Sequence, residues 1–119
     1  MRILSTLLAA ALVTGASLAL TAPAHASAKG NAHASAKGAA LFTKNGCVAC
    51  HGLGAKDPKK MGPNFSEVAK KYSKKDVAKL AKKIRAGGKG SFGQMPMPPM
   101  PQVSEADAKA LAEYALSIK

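Results

Sequence analysis

Tryptophan is absent from the 119 residues, and only three Phe and two Tyr supply aromatic surface. Cysteine occurs twice, histidine three times, and acidic side chains only six times. Each scarcity removes a possibility. A structural zinc site takes four thiolate or imidazole ligands, and with two cysteines, and His25 and His33 close to the N-terminus, the chain does not assemble that set. No stretch alternates apolar and polar residues over strand length or reads as a hairpin, so strands are not expected. Beyond residue 20 no apolar run is long enough to cross a bilayer. With so few aromatics, a domain this small builds a marginal core unless something else adds apolar bulk.

What is present begins with an export segment. Met1-Arg2 precedes an apolar run from Ile3 to Leu20, and Ala24-His25-Ala26 has small-x-small cleavage spacing. Residues 1–26 therefore read as a signal peptide, with cleavage after Ala26 and a periplasmic mature protein that is not inserted in the membrane. His25 to Ala32 is nearly copied as His33 to Ala40, which creates an alternative cleavage site after Ala34. One such copy is too short for a solenoid. Residues 27–36 read as a mobile N-terminal arm, and residues 37–119 as a single domain.

Lysine dominates the charge. The whole chain has 18 Lys and Arg against the six acids, for a formal net charge of +12. Nucleic acid is not the expected partner, because an exported protein seldom meets it and no reading motif is present. Part of the lysine is the solvated face of helices; the rest can steer a partner with an acidic docking surface, an effect that salt weakens.

The chemistry is concentrated in Cys47-Val48-Ala49-Cys50-His51. Two cysteines with two residues between them, followed at once by histidine, form the attachment signature of a c-type haem. On one helical turn both sulfurs share a face and can reach the two vinyl groups of a porphyrin edge, while His51 lies beneath the iron. A redox dithiol of the thioredoxin kind needs a βαβ context that is missing here. A disulfide between Cys47 and Cys50 is an alternative before attachment. The expected cofactor is one covalent haem c, which also supplies the apolar bulk the core lacks.

Around the motif the pattern is helical. Ser35 to Lys44 reads as a first helix, and Gly52 to Met61 as a loop. Asn64 with Glu67 forms a capping box before a stripe of Phe65, Val68, Ala69 and Tyr72. Ser73 with Asp76 opens a helix whose inward stripe is Val77, Leu80, Ala81 and Ile84, ended by Gly87-Gly88. Ser104 caps the last helix, which carries Leu111, Ala112, Ala115 and Ile118 on one face. The fold class is all-α. Between the last two helices, Met95, Met97 and Met100 lie in a loop stiffened by Pro96, Pro98, Pro99 and Pro101. Met61 is the remaining methionine after the signal. A thioether from this set is the candidate for the iron position opposite His51, and it favours the reduced metal.

From Leu41 onward the chain resembles the short bacterial class I cytochromes c, the group called cytochrome c-551 or c-552. The matching stretches are Gly46 to His51, Met61-Gly62-Pro63, Gly90-Ser91-Phe92-Gly93, Pro96-Met97-Pro98-Pro99, and Val103-Ser104 leading into Leu111-Ala112. The resemblance implies a cytochrome c fold of four to five short helices wrapped around one haem, with the first and last helices crossing and Phe42 packed against Leu111 and Tyr114. It implies Met97 as the second iron ligand beside His51, Pro63 as acceptor for the His51 ring N–H, and Lys83 as a neighbour of a haem propionate. Phe92 stands where these proteins usually carry tryptophan, so an indole hydrogen bond to a propionate cannot form. Met100 and Pro101 intervene before Gln102, which lengthens the ligand loop and leaves Met100 as a rival ligand.

The function implied is a soluble, monomeric one-electron carrier rather than an enzyme. Its partners would be a quinol-oxidising complex on one side and an oxidase, nitrite reductase or peroxidase on the other. A haem enzyme or gas sensor with an open iron position is the alternative reading, and a fixed relay subunit docked in a larger complex is a third.

Overall fold

The computed structural model describes residues 26–119, with side-chain detail from Ser35 onward. The expected signal peptide lies outside the described residues but for Ala26. Four helices follow in order: α1 (Ala26–Lys44), α2 (Phe65–Lys71), α3 (Val77–Ala86) and α4 (Glu105–Ser117). Two single 3-10 turns, Cys47–Ala49 and Lys74–Asp76, stand before α2 and α3. Among the described residues there is no strand, only an isolated antiparallel bridge between Gly88 and Met97. The all-α expectation holds.

Helix α1 begins well before Ser35, where the first helix was expected, and runs through the 27–36 stretch read as an arm. The duplicated residues are rich in alanine and lysine, both strong helix formers, and Gly30 and Gly38 each cost only about 1 kcal/mol against that preference. At Gly38, α1 passes so close to α4 that an added Cβ would lie 2.2 Å from the Tyr114 Cβ. Lys37 Nζ reaches Asp107 Oδ1 at 3.0 Å across the same crossing.

The expected caps form. The Glu67 carboxylate accepts the Asn64 backbone N–H at 3.0 Å. Asp76 accepts both the N–H and the hydroxyl of Ser73, at 2.9 and 3.2 Å. Ser104 Oγ accepts the Asp107 N–H at 3.1 Å. Each satisfies helix-end donors that would otherwise lack a partner.

The core lies where α1, α2 and α4 meet. Phe42, Phe65 and Tyr114 form an edge-on triangle with ring centroids 5.0, 6.0 and 6.2 Å apart. Leu41, Val68, Val103 and Leu111 close around it. Phe42 meets Tyr114 as expected, and α4 is buried on Ala108, Ala110, Leu111, Ala112, Tyr114 and Ala115 because other helices cover it. Of the α3 stripe only Ala81 is buried; Leu80 and Ile84 instead border a cavity.

Asp57, Glu67 and Asp76 are held below the ordinary carboxylate range chiefly by backbone N–H donors, and Asp107 chiefly by Lys37. Since folding lowers these pKa values, the unfolded chain binds protons more readily. The stabilisation is therefore complete above the usual carboxylate range of about pH 4 and is lost as pH falls through the lower folded values. The urea midpoint should stay flat from about pH 7 to 5 and then decline steadily towards about pH 3. A midpoint that held constant over that lower interval would contradict these hydrogen bonds.

Candidate cofactor site

Helix α1 ends at Lys44, and Asn45 and Gly46 donate back to the carbonyls of Leu41 and Thr43. The chain then turns through Cys47–Ala49. The N–H groups of Cys50 and His51 both go to the Cys47 carbonyl, at 3.1 and 2.9 Å. This tight turn puts Cys47, Cys50 and His51 together on the wall of a cavity of about 280 Å³. Cys47 and Cys50 are not joined by a disulfide, and both are half-buried.

His51 is held on two sides. Its Nδ1 lies 2.7 Å from the Pro63 carbonyl. A carbonyl only accepts, so Nδ1 carries the proton and Nε2 keeps a lone pair free for a metal. The ring is also packed against the backbone at Gly62, where an added Cβ would fall 2.5 Å from His51 Cε1. Gly62 N–H donates to the Cys50 carbonyl at 2.8 Å, and the Phe65 ring stands 5.5 Å from the imidazole.

Met97 reaches the same cavity from the far side of the sequence. Its N–H and C=O exchange hydrogen bonds with the C=O and N–H of Gly88, both at 2.9 Å. Gly87, just beyond α3, adopts φ 67°, and a Cβ there would lie 2.4 Å from the Met97 carbonyl oxygen. Only glycine lets the helix end and the methionine loop lie this close. Farther along, Met100 N–H donates to the Arg85 carbonyl at 3.1 Å, and Arg85 Nε donates to the Val103 carbonyl at 3.0 Å. The proline-rich loop is thus clipped to the C-terminal end of α3.

Cys47, Cys50, His51, Pro63, Lys83, Phe92 and Met97 all border this one cavity. Met100 does not: it packs, partly buried, against the helical core. Gln102 is exposed and also lies off the cavity. Phe92 is 42% exposed, its ring 6.1 Å from that of Tyr72 and its face covered by Lys71 Nζ at 4.7 Å. Lys71 also donates to the Ser91 carbonyl. The sequence reading missed Lys71; Met61 and Met95, members of its thioether set, stand at the cavity rim and are more than half exposed. A methionine in a glycine- and proline-rich loop carries no periodic signal that would separate a rim residue from a buried one.

The donor set suits a covalent haem. Two thiols on one turn, an imidazole with Nε2 available and a thioether from a separate loop border a cavity whose other walls are apolar, among them Val68, Leu80, Ile84 and Leu111. Among the described residues, Lys83 and Lys89 are the charged side chains that line it. Among the described residues no three His, Cys, Asp or Glu side chains gather as a metal-ion site of the zinc kind.

Known proteins resemble the chain over most of its described residues. The sequence model of the family described as cytochrome c matches residues 35–119. Cytochrome c-552 of Nitrosomonas europaea is 48% identical over 81 residues, covering 66% of this chain and 76% of that protein. Cytochrome c-551 of Azotobacter vinelandii is 51% identical over 81 residues, covering 66% of this chain and 94% of the relative. The crystal structure of wild-type Nitrosomonas europaea cytochrome c552 superposes with a TM-score of 0.61, covering 68% of this chain and 99% of that one.

The contact at Gly62 can be tested directly. Gly62→Ala forces a methyl group into the His51 ring, so the ring must shift and its bond to Pro63 must lengthen. The expected loss of stability is about 1–3 kcal/mol, as for other overpacked sites, together with a displaced His51 ring resonance. An unchanged urea midpoint and ring resonance would show that the ring is not seated on Gly62.

Proposed function

The chain belongs to the cytochrome c family, and we propose that within it this protein is a soluble periplasmic one-electron carrier with His51 and Met97 as the axial ligands of its iron. The cofactor is a covalent haem c, and the relatives are small electron-carrier cytochromes. Cys47 and Cys50 would form the two thioether links. When bound, the haem supplies reversible one-electron chemistry at its iron.

The observation that carries the reading is that His51 and Met97, far apart in sequence, border one cavity and are each fixed by backbone hydrogen bonds. The Pro63 carbonyl holds the imidazole in the tautomer that leaves Nε2 free and raises its basicity. The Gly88 pairing and the flanking prolines keep the Met97 segment in place, so the ligand moves little when charge changes. Two strong ligands leave no iron position for a substrate, which argues for a carrier and against an enzyme or gas sensor. Lys83 borders the cavity and would offer a cation to a haem propionate, and Phe92 lines it without an indole N–H to donate.

The surface chemistry suits partners with acidic docking faces. Lys59, Lys60, Lys71, Lys83 and Lys89 lie on or beside segments that border the cavity, and among the described residues no acidic side chain lines it. Exposed apolar groups at the rim, Met61, Phe92 and Met95, give such a partner something to bury. A quinol-oxidising complex as donor, and an oxidase, nitrite reductase or peroxidase as acceptor, fit this description.

Two measurements test the proposal. Met97→Ala should abolish the weak far-red iron–sulfur absorption of the oxidised protein and lower its potential, with haem still attached, while Met100→Ala should keep that band. The opposite pattern would move the ligand to Met100, and rapid carbon monoxide binding by a high-spin reduced form would sink the carrier reading. Electron transfer with a partner should slow roughly tenfold from low to physiological salt if the lysines steer encounter; a flat salt response would reduce them to solubilising groups.

A further inference from the structure

Asn64 follows Pro63 directly and is only 4% exposed. Its Nδ2 donates to two carbonyls of the loop that follows His51, Gly54 at 3.0 Å and Asp57 at 3.1 Å. The backbone beside it reaches back to the same loop: Phe65 N–H donates to the Gly52 carbonyl at 3.0 Å and Ser66 N–H to the Leu53 carbonyl at 2.8 Å. Asp57 braces the loop from within, its Oδ2 accepting the N–H groups of Leu53 at 2.6 Å and Gly54 at 2.9 Å. The amide also lies tight on Gly52, where an added Cβ would sit 2.5 Å from Asn64 Oδ1.

These contacts join two places in the chain, and each is one residue away from a partner of the same hydrogen bond. His51 precedes Gly52, and Pro63 precedes Asn64. A buried amide that ties the loop at 52–57 to the start of α2 therefore controls how closely the Pro63 carbonyl approaches the His51 ring.

We propose that Asn64 is a positioning residue for the axial histidine: by clamping the loop at 52–57 to the N-terminus of α2 it holds the Pro63 carbonyl on His51 Nδ1–H, and so sets the donor strength of the imidazole and the midpoint potential of the haem. The inference rests on His51 being an iron ligand, as proposed above. A stronger bond at Nδ1 makes Nε2 more basic and favours oxidised iron. Loosening the clamp therefore raises the potential.

The test uses the holoprotein with haem attached. Asn64→Ala removes the amide, and Asn64→Asp keeps its size while replacing both N–H donors with an acceptor facing two carbonyls. Lys37→Ala serves as a control that weakens the α1–α4 contact far from the loop. The readouts are solvent exchange of the His51 ring N–H in the reduced protein, followed by NMR, and the midpoint potential from a redox titration. Both Asn64 variants should exchange that proton at least about tenfold faster, equivalent to about 1.4 kcal/mol, and shift the potential upward while the low-spin spectrum persists. Should Asn64→Ala fail to fold, Asn64→Asp alone decides. Unmoved exchange and potential in a folded Asn64 variant, or the same shifts in Lys37→Ala, would overturn the proposal as mere stability. If the wild-type haem lacks histidine ligation, the functional reading itself fails, an outcome seen before any variant is made.

Discussion

Phe65 is the residue on which the rest of the arrangement leans. Its ring meets Phe42 of α1 and Tyr114 of α4 edge-on, and it also stands 5.5 Å from the imidazole of His51 and borders the cavity. Edge-on aromatic pairs contribute about 0.5–1.5 kcal/mol each beyond the area they bury, which matters in a domain with five aromatic residues. Through this one side chain the crossing of the terminal helices is coupled to the seat of the proposed proximal ligand. The near contact at Gly38 lets α1 come close enough to α4 for the triangle to close.

The groups that would hold the cofactor are all outside the α-helices. Cys47, Cys50 and His51 sit on and just after a single 3-10 turn, and Met97 on a proline-rich loop. Helix ends supply the rigidity that these segments lack. The end of α3 clips the methionine loop through Gly87, Gly88 and Arg85, and the start of α2 carries the carbonyl that orients His51. In the family to which the chain belongs, the chemistry is the cofactor's own; what the polypeptide adds is fixed geometry, an apolar surround and a charge pattern.

That charge pattern has a second use beyond encounter. Lys71 covers Phe92 and Tyr72, and Lys79 stands 5.4 Å from the Tyr72 ring centroid. Such cation–π contacts contribute about 0.5–1 kcal/mol at exposed sites. They fasten the loop at 88–93 over the rim of the cavity. A phenylalanine offers no N–H donor, but its face still accepts a cation, and the hydrogen bond from Lys71 to the Ser91 carbonyl supplies a polar tie nearby.

Local chemistry was legible in the sequence because it acts over a few residues. The cysteine–histidine spacing, the caps at Ser73 and Ser104 and the glycine stop after α3 each depend on neighbours within about one helical turn, and they stand where they were expected. The start of α1 was misread because alanine-rich sequence is permissive and carries no boundary signal of its own. Asn64 was read as a cap residue, and its Glu67 partner is there, but its side chain turns to a loop that periodicity cannot place. That Met97 rather than Met100 borders the cavity likewise followed only from resemblance, since both lie among prolines with similar local preferences. The sequence by itself determined which residues are chemically able to hold a haem and which segments are helical. Only the tertiary structure decided which of them share a cavity, because bringing residues as distant as His51 and Met97 to one site is specified by how helix ends pack and not by any pattern along the chain.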